Sequence, residues 1–177
     1  MLLSDSLKAV IRDVPDFPQP GIVFKDITPV LAHPKARQQV VDAIVANFEG
    51  QKVEAVAGIE ARGFILGAMV AQQMGVPFVP IRKAGKLPFK SIREDYSLEY
   101  GKAAIEIHQD ALVAGQRVLV HDDLLATGGT AAAAGNLVTK LGAELVGFSF
   151  IINLSFLPGE QVLKTRFGKH PFSLVTY

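Results

Sequence analysis

Cysteine is absent from the 177 residues, so no disulfide holds the fold, and cysteine-based metal sites and cysteine nucleophiles are excluded. Charge of one sign is missing too. Lys plus Arg total 18 against 17 for Asp plus Glu, a net charge of +1, which offers no general surface for nucleic acid or membrane. Any basic site must be local. No apolar run approaches the roughly 20 residues that span a bilayer, and the opening Met1-Leu2-Leu3-Ser4-Asp5-Ser6-Leu7-Lys8 has no basic region followed by a long apolar stretch. A soluble cytoplasmic protein is the expectation. Two nucleotide-binding motifs are also lacking: there is no Gly-x-x-x-x-Gly-Lys-Ser/Thr loop, and no Gly-x-Gly-x-x-Gly after a strand. His33, His108 and His170 show no metal-like spacing with one another. The sequence carries no repeat at fixed period and no low-complexity tract.

What is present suits one domain over residues 1–177, with 49% hydrophobic residues for its core. From Ser4 to Val14, apolar Leu7, Val10, Ile11 and Val14 recur at helical spacing. Pro15, Pro18 and Pro20 then enforce a stiff loop ahead of Ile22-Val23-Phe24, because proline fixes φ and lacks a donor. Behind Pro34, a helix is expected to bury Val40, Val41, Ile44, Val45 and Phe48, and to end at Gly50. Strand 53–59, helix 63–74 and strand 76–81 make one βαβ unit, and strand 117–120, helix 130–141 and strand 143–152 make another. Strands alternating with helices predict an α/β fold with a mostly parallel sheet flanked by helices.

Between the two units the pattern changes. Arg82, Lys83, Lys86, Lys90 and Arg93 share residues 82–95 with Gly85 and Pro88, which reads as a mobile basic loop suited to a polyanion. Tyr96 to Tyr100 and Ala103 to His108 are expected as hairpin arms hinged at Gly101. Pro171 to Tyr177 reads as a last strand.

The most informative run is Val118-Leu119-Val120-His121-Asp122-Asp123-Leu124-Leu125-Ala126-Thr127-Gly128-Gly129-Thr130, an apolar strand leading through two acids into a turn of small residues. Ligands in open α/β sheets gather at the carboxyl ends of strands, and a turn entering a helix presents free N–H groups to a phosphate. Carboxylates accept from sugar hydroxyls, and glycines let backbone approach a phosphate without a Cβ in the way. The alternative is an Asx turn followed by a capped helix, but two unpaired acids at a strand end are costly unless something uses them. A ribose 5-phosphate fits this order of groups.

The same run resembles the phosphoribosyl pyrophosphate signature of the type I phosphoribosyltransferases, and in detail that of the members acting on adenine. The likeness extends to Pro18-Gln19-Pro20-Gly21-Ile22-Val23-Phe24-Lys25-Asp26-Ile27-Thr28-Pro29, Gly58-Ile59-Glu60-Ala61-Arg62-Gly63-Phe64, Ile81-Arg82-Lys83-Ala84-Gly85-Lys86-Leu87-Pro88 and Tyr96-Ser97-Leu98-Glu99-Tyr100-Gly101-Lys102. The resemblance implies an N-terminal hood over about residues 1–33 and a flexible loop and hairpin over about 82–108. It implies that Asp122 and Asp123 hold the ribose hydroxyls while Ala126, Thr127, Gly128, Gly129 and Thr130 wrap the 5-phosphate. Glu60, Ala61 and Arg62, with Lys83 and Lys86, would meet the pyrophosphate, and the family's loop sometimes carries a cis Glu60-Ala61 peptide. Phe24 would stack on adenine, with backbone groups of Val23 and Lys25 reading the base edge. Glu99 would handle the N7 proton and Tyr100 cover the ribose, making Glu99, Arg62 and Lys83 the catalytic candidates.

The implied activity is phosphoribosyl transfer from phosphoribosyl pyrophosphate to adenine, giving AMP and pyrophosphate. Mg2+ would act mainly through substrate and water, and the implied assembly is a homodimer. Phe64, Leu66 and Met69 are apolar enough for either interface or core. A regulator sensing the same sugar phosphate, or an enzyme for another base, would share the fold. The chain shows no spare segment for a nucleic-acid module, and Phe24 and Glu99 argue against another base. His121 departs from the family, which usually has an aliphatic residue there. A histidine on a buried strand is expected as a hydrogen-bonded core residue.

Overall fold

The computed structural model describes residues 2–97 and 102–177. Leu98, Glu99, Tyr100 and Gly101, and with them the expected places of Glu99 and Tyr100, lie outside the described residues.

The first helix, α1 (Leu3–Val10), is shorter than the apolar spacing predicts. Ile11 is already extended, and Arg12–Pro15 forms β1, antiparallel to β2 (Val23–Asp26). The competing force is electrostatic: the pairing sets Arg12 opposite Asp26 and Asp13 opposite Lys25, and both pairs form ion pairs. Val14 therefore lies in a strand, not on a helix face. Two further helices follow, α2 (Thr28–Ala32) and α3 (Pro34–Asn47), the latter opened by proline and burying Val40, Val41 and Ile44 as expected.

The rest of the chain builds a sheet of seven strands. Its members are β3 (Ala55–Ile59), β4 (Phe78–Lys83), β5 (Ser91–Ser97), β6 (Lys102–His108), β7 (Arg117–Leu125), β8 (Glu144–Asn153) and β9 (Phe172–Thr176), in the order β5-β6-β4-β3-β7-β8-β9. All neighbours from β4 to β9 run parallel, while β6 is antiparallel to both β4 and β5. The connecting helices are α4 (Arg62–Met74), α5 (Gly129–Lys140) and α6 (Gly159–Phe167).

Strand alternation divides the core between the two faces. Ala55, Ala57, Ile59, Val118 and Val120 pack with α5 and α6, whereas Val56 and Leu119 pack with α1, α3 and α4. Leu66 belongs to the second core and is fully buried, so of the three α4 residues suited to an interface or a core it serves the core. Phe64 packs edge-on against Phe78, their centroids 5.9 Å apart, and Ile65 is the exposed apolar residue of that turn.

Two expectations about the middle of the chain need correction. Residues 82–95 are not one mobile loop: Arg82 and Lys83 end β4, and Ser91 already begins β5, so Arg93 is a strand residue. Strand β5 is stabilised by its pairing with β6 and by Glu94, which bonds Asn136 and Lys140 of α5. The hairpin arms are thus 91–97 and 102–108, the first beginning earlier than its aromatic residues suggest. Strand β7 also continues through the acids to Leu125, paired with β8 up to Asn153.

Candidate active site

Strand β3 leads to β4 on one side, and β7 leads to β8 on the other, so the connections diverge between β3 and β7. Such a switch point opens a crevice at the carboxyl ends of the strands. Glu60, Ala61 and Arg62 leave β3 at this crevice, and Asp122 and Asp123 face it from β7.

Close packing of α4 fixes the crevice's width. A Cβ on Gly63 would stand 2.8 Å from the His121 carbonyl and 3.0 Å from the Asp122 carboxylate, so only glycine admits this approach. The consequence is that Arg62, at the start of α4, reaches across to β7. Its Nε donates to Asp123 Oδ2, and its guanidinium lies 5.3 Å from the Phe24 ring centroid. Phe24 is in turn braced edge-on by Phe17 at 5.2 Å. One side chain therefore bridges the proline-rich segment, the β3 turn and the paired acids.

Glu60, Ala61, Arg62, Lys83, Asp122 and Asp123 line a cavity of about 310 Å³. The Glu60-Ala61 peptide is cis. Glu60 accepts from the Lys83 N–H at 2.9 Å and from Arg82 Nε at 3.3 Å, which ties the β4 end to the β3 turn and carries Lys83 to the cavity. Burial opposes ionisation of Glu60, yet Lys83 and Arg82 outweigh it and hold its carboxyl below the usual range. For Asp122 the balance is opposite: burial, then the Asp123 charge, pushes it well above the ordinary carboxylate range. Burial also opposes the Arg62 charge, but Asp123 raises its pKa above the ordinary guanidinium value. Arg62 and Lys83 thus present positive charge to a cleft in which Asp122 resists ionisation. Lys86 does not line the cavity; its carbonyl accepts from Arg82 Nη1 at 2.9 Å.

A second concavity adjoins the first through Asp122 and is lined by Leu124, Leu125, Ala126, Thr127, Gly128, Gly129, Thr130 and Ala131. Gly128 sits at φ +81, a conformation that disfavours side chains, and its left-handed turn opens α5. The N–H groups of a first helical turn lack intrahelical acceptors and favour anions. The Gly159 N–H donates to the Ala126 carbonyl at 3.0 Å, so α6 braces the turn from behind. Sequence patterning misses this brace, because only Gly159 and Leu163 of α6 are buried and the helix has almost no apolar stripe.

His121 is a core residue, as its strand position predicts. It is fully buried, and its Nδ1 lies 2.9 Å from Ser149 Oγ across the β7–β8 ladder. Burial, partly offset by Asp123 and Ser149, lowers its pKa from 6.5 to about 4. The folded protein therefore binds this proton less readily than the unfolded chain, so the stabilisation is complete above pH 6.5 and is lost as pH falls toward 4. Between pH 7 and pH 5 the wild type should lose on the order of 2 kcal/mol more stability than a His121→Val, Ser149→Ala double variant, measured by urea unfolding. Equal losses in the two proteins would contradict it.

Residues 27–161 match the phosphoribosyl transferase domain family, and this span fixes the class: the chain is a phosphoribosyltransferase. It is 60% identical over 157 residues to the adenine phosphoribosyltransferase of Myxococcus xanthus, covering 89% of this chain and 85% of that one. The crystal structure of adenine phosphoribosyltransferase from Thermoanaerobacter pseudethanolicus superposes with a TM-score of 0.93 at 46% identity, over 98% of this chain and 99% of that one. The Saccharomyces cerevisiae enzyme, solved with an imino-altritol bisphosphate and adenine, gives 0.90 at 39% identity, over 97% and 98% of the two chains. The chain belongs to the adenine phosphoribosyltransferases. Its reaction is purine salvage, forming AMP from adenine and phosphoribosyl pyrophosphate. The regulator and other-base readings are set aside by these relatives.

Proposed function

We propose a division of labour within this site. Asp122 and Asp123 accept hydrogen bonds from the ribose hydroxyls, and Ala126 to Thr130 enclose the 5-phosphate. Arg62 and Lys83, with backbone at Glu60 and Ala61, face the pyrophosphate, and Lys86 reaches it only if its segment moves. Adenine stacks on Phe24 with its edge against backbone of Val23 and Lys25, while Tyr100 covers the ribose. The observation that supports this reading is the Arg62 guanidinium, bonded to Asp123 and 5.3 Å from the Phe24 ring centre, so that the proposed base platform and the proposed ribose acids meet at one cation.

During transfer, the bond from the anomeric carbon to pyrophosphate breaks as adenine N9 forms its own bond to that carbon. The electron pair leaves with pyrophosphate, and the N7 proton passes to Glu99. Positive charge develops on the sugar and negative charge on the leaving group, so fixed charges supply the catalysis rather than a covalent nucleophile. Arg62 and Lys83 stabilise the leaving group, and Asp122 and Asp123 hold the sugar.

Mg2+ fits this donor set. Among the described residues no group of three or more metal-ligating side chains occurs, and Asp123 is already engaged by Arg62. Magnesium is typically held by one or two carboxylates together with phosphates and water. Asp122 and Asp123 would hold it through water or the ribose, and when bound it neutralises pyrophosphate charge. Removing divalent ions with EDTA should abolish AMP formation from adenine, and excess Mg2+ should restore it. Full turnover in EDTA would rule out the metal. The chain is also proposed to act as a homodimer in the cytoplasm, with exposed Ile65 available to the interface; among the described residues no helix is long and apolar enough to cross a membrane.

A further inference from the structure

The hairpin β1–β2 that carries Phe24 is a sheet of its own, separate from the seven strands that carry the acids and the phosphate turn. A two-stranded sheet with strands of four residues is marginal alone and needs an external brace. Tyr177 provides one. The Lys25 ammonium lies 4.0 Å from the Tyr177 ring centroid and the Lys8 ammonium 5.2 Å from it. Lys25 also donates to Asp13 Oδ1 at 2.7 Å, and its side chain is only 13% exposed, so ring and carboxylate together fix its direction. Burial, with the Asp13 charge, holds the Tyr177 phenol above its usual pKa, which keeps the ring neutral beneath the cations.

The other half of Tyr177 is tied to the main sheet. Its N–H donates to the Asn153 carbonyl at 3.0 Å, and its carbonyl accepts from Ser155 N–H at 2.9 Å and Ser155 Oγ at 2.7 Å. That segment is fastened to the phosphate side: Leu154 N–H donates to Leu125 O at 3.0 Å, and Gly159 N–H to Ala126 O at 3.0 Å. A continuous series of contacts thus runs from Lys25, through Tyr177, to the turn entering α5.

We propose that Tyr177 is a positioning residue for adenine: its ring clamps Lys25 and so sets the height of the Phe24 platform above the ribose site. This rests on the reading of Phe24 as the base platform. Tyr177 does not line the cavity of Arg62 and the paired acids. Its hydroxyl is dispensable and its aromatic face is not, since a cation is attracted to the ring's negative face.

Steady-state kinetics on four single variants of the full chain and one double variant test this. Tyr177→Leu keeps the backbone bonds and loses the ring, and its KM for adenine should rise roughly three- to tenfold, with KM for phosphoribosyl pyrophosphate and melting temperature little changed. Tyr177→Phe should behave as wild type. Lys25→Met should raise the adenine KM at least as far as Tyr177→Leu, since it also breaks the Asp13 ion pair, and adding Tyr177→Leu to Lys25→Met should change little further, because the shared ring contact is already lost. Phe24→Ala tests the platform itself. A raised adenine KM in Phe24→Ala with a normal one in Tyr177→Leu overturns the role of Tyr177 alone. An unchanged adenine KM in Phe24→Ala overturns the platform and this proposal together. A parallel rise of both KM values in Tyr177→Leu also overturns it, since that is the mark of general loosening.

Discussion

Replacing Asp123 by alanine lowers kcat/KM for phosphoribosyl pyrophosphate by about 10²- to 10⁴-fold, the scale expected when a nearly buried, charge-bearing acceptor is removed. Three losses coincide. On the proposed reading the ribose loses a carboxylate acceptor; Arg62 loses its bond to Asp123, and the site loses the negative charge that raises the Arg62 pKa. Asp122 moves the other way, because the Asp123 charge helps keep its carboxyl high. That relief should limit the cost to folding, so thermal melting and activity should separate. Asp123→Asn should fall between wild type and alanine, since an amide still accepts from a hydroxyl but carries no charge for Arg62. Initial rates at varied phosphoribosyl pyrophosphate check the series, and a wild-type kcat/KM in Asp123→Ala would falsify the ribose assignment.

Replacing Glu99 by glutamine slows kcat by about 10²–10⁴-fold, the usual contribution of a positioned general acid or base. As N9 of adenine bonds to the sugar, the N7 proton becomes acidic and must leave. A carboxylate takes it, whereas glutamine offers no basic site of comparable strength. KM for phosphoribosyl pyrophosphate should change little, which distinguishes Glu99 from Asp123. Unchanged turnover in Glu99→Gln would end the assignment. Glu99 falls between the described ends of β5 and β6, so kinetics carries this test.

The central sheet was legible because its strands are short apolar runs between glycine-bounded helices, as at Ala55–Ile59 and Glu144–Asn153. Elements held by charge were harder to read. Strand β1 owes its place to Arg12 and Asp13 facing Asp26 and Lys25, information that only the paired strand supplies. Strand β5 contains Arg93, Glu94 and Asp95, which reads as a solvated loop until Asn136 and Lys140 of α5 are seen to meet Glu94. At Asp122 the local signal was misleading in another way. Two adjacent acids suggest the end of a strand, but β8 continues alongside and carries the ladder to Leu125.

The site shows the same division. Glu60, Ala61, Arg62, Lys83, Asp122 and Asp123, drawn from three separate sequence blocks, line one cavity. The sequence blocks did not reveal what sets their spacing: Gly63 against the His121 carbonyl, α6 behind Ala126, and Glu60 holding the end of β4. Lys86 shows the limit of reading charge alone, because it is its backbone carbonyl that meets Arg82 Nη1.

The most direct test of the whole arrangement is a crystal structure with adenine, Mg2+ and a non-hydrolysable phosphoribosyl pyrophosphate analogue. The ribose hydroxyls should lie on Asp122 and Asp123, the 5-phosphate within Ala126 to Thr130, the pyrophosphate group beside Arg62 and Lys83, and adenine on Phe24. A 5-phosphate bound away from that turn, or adenine seated away from Phe24, would contradict it.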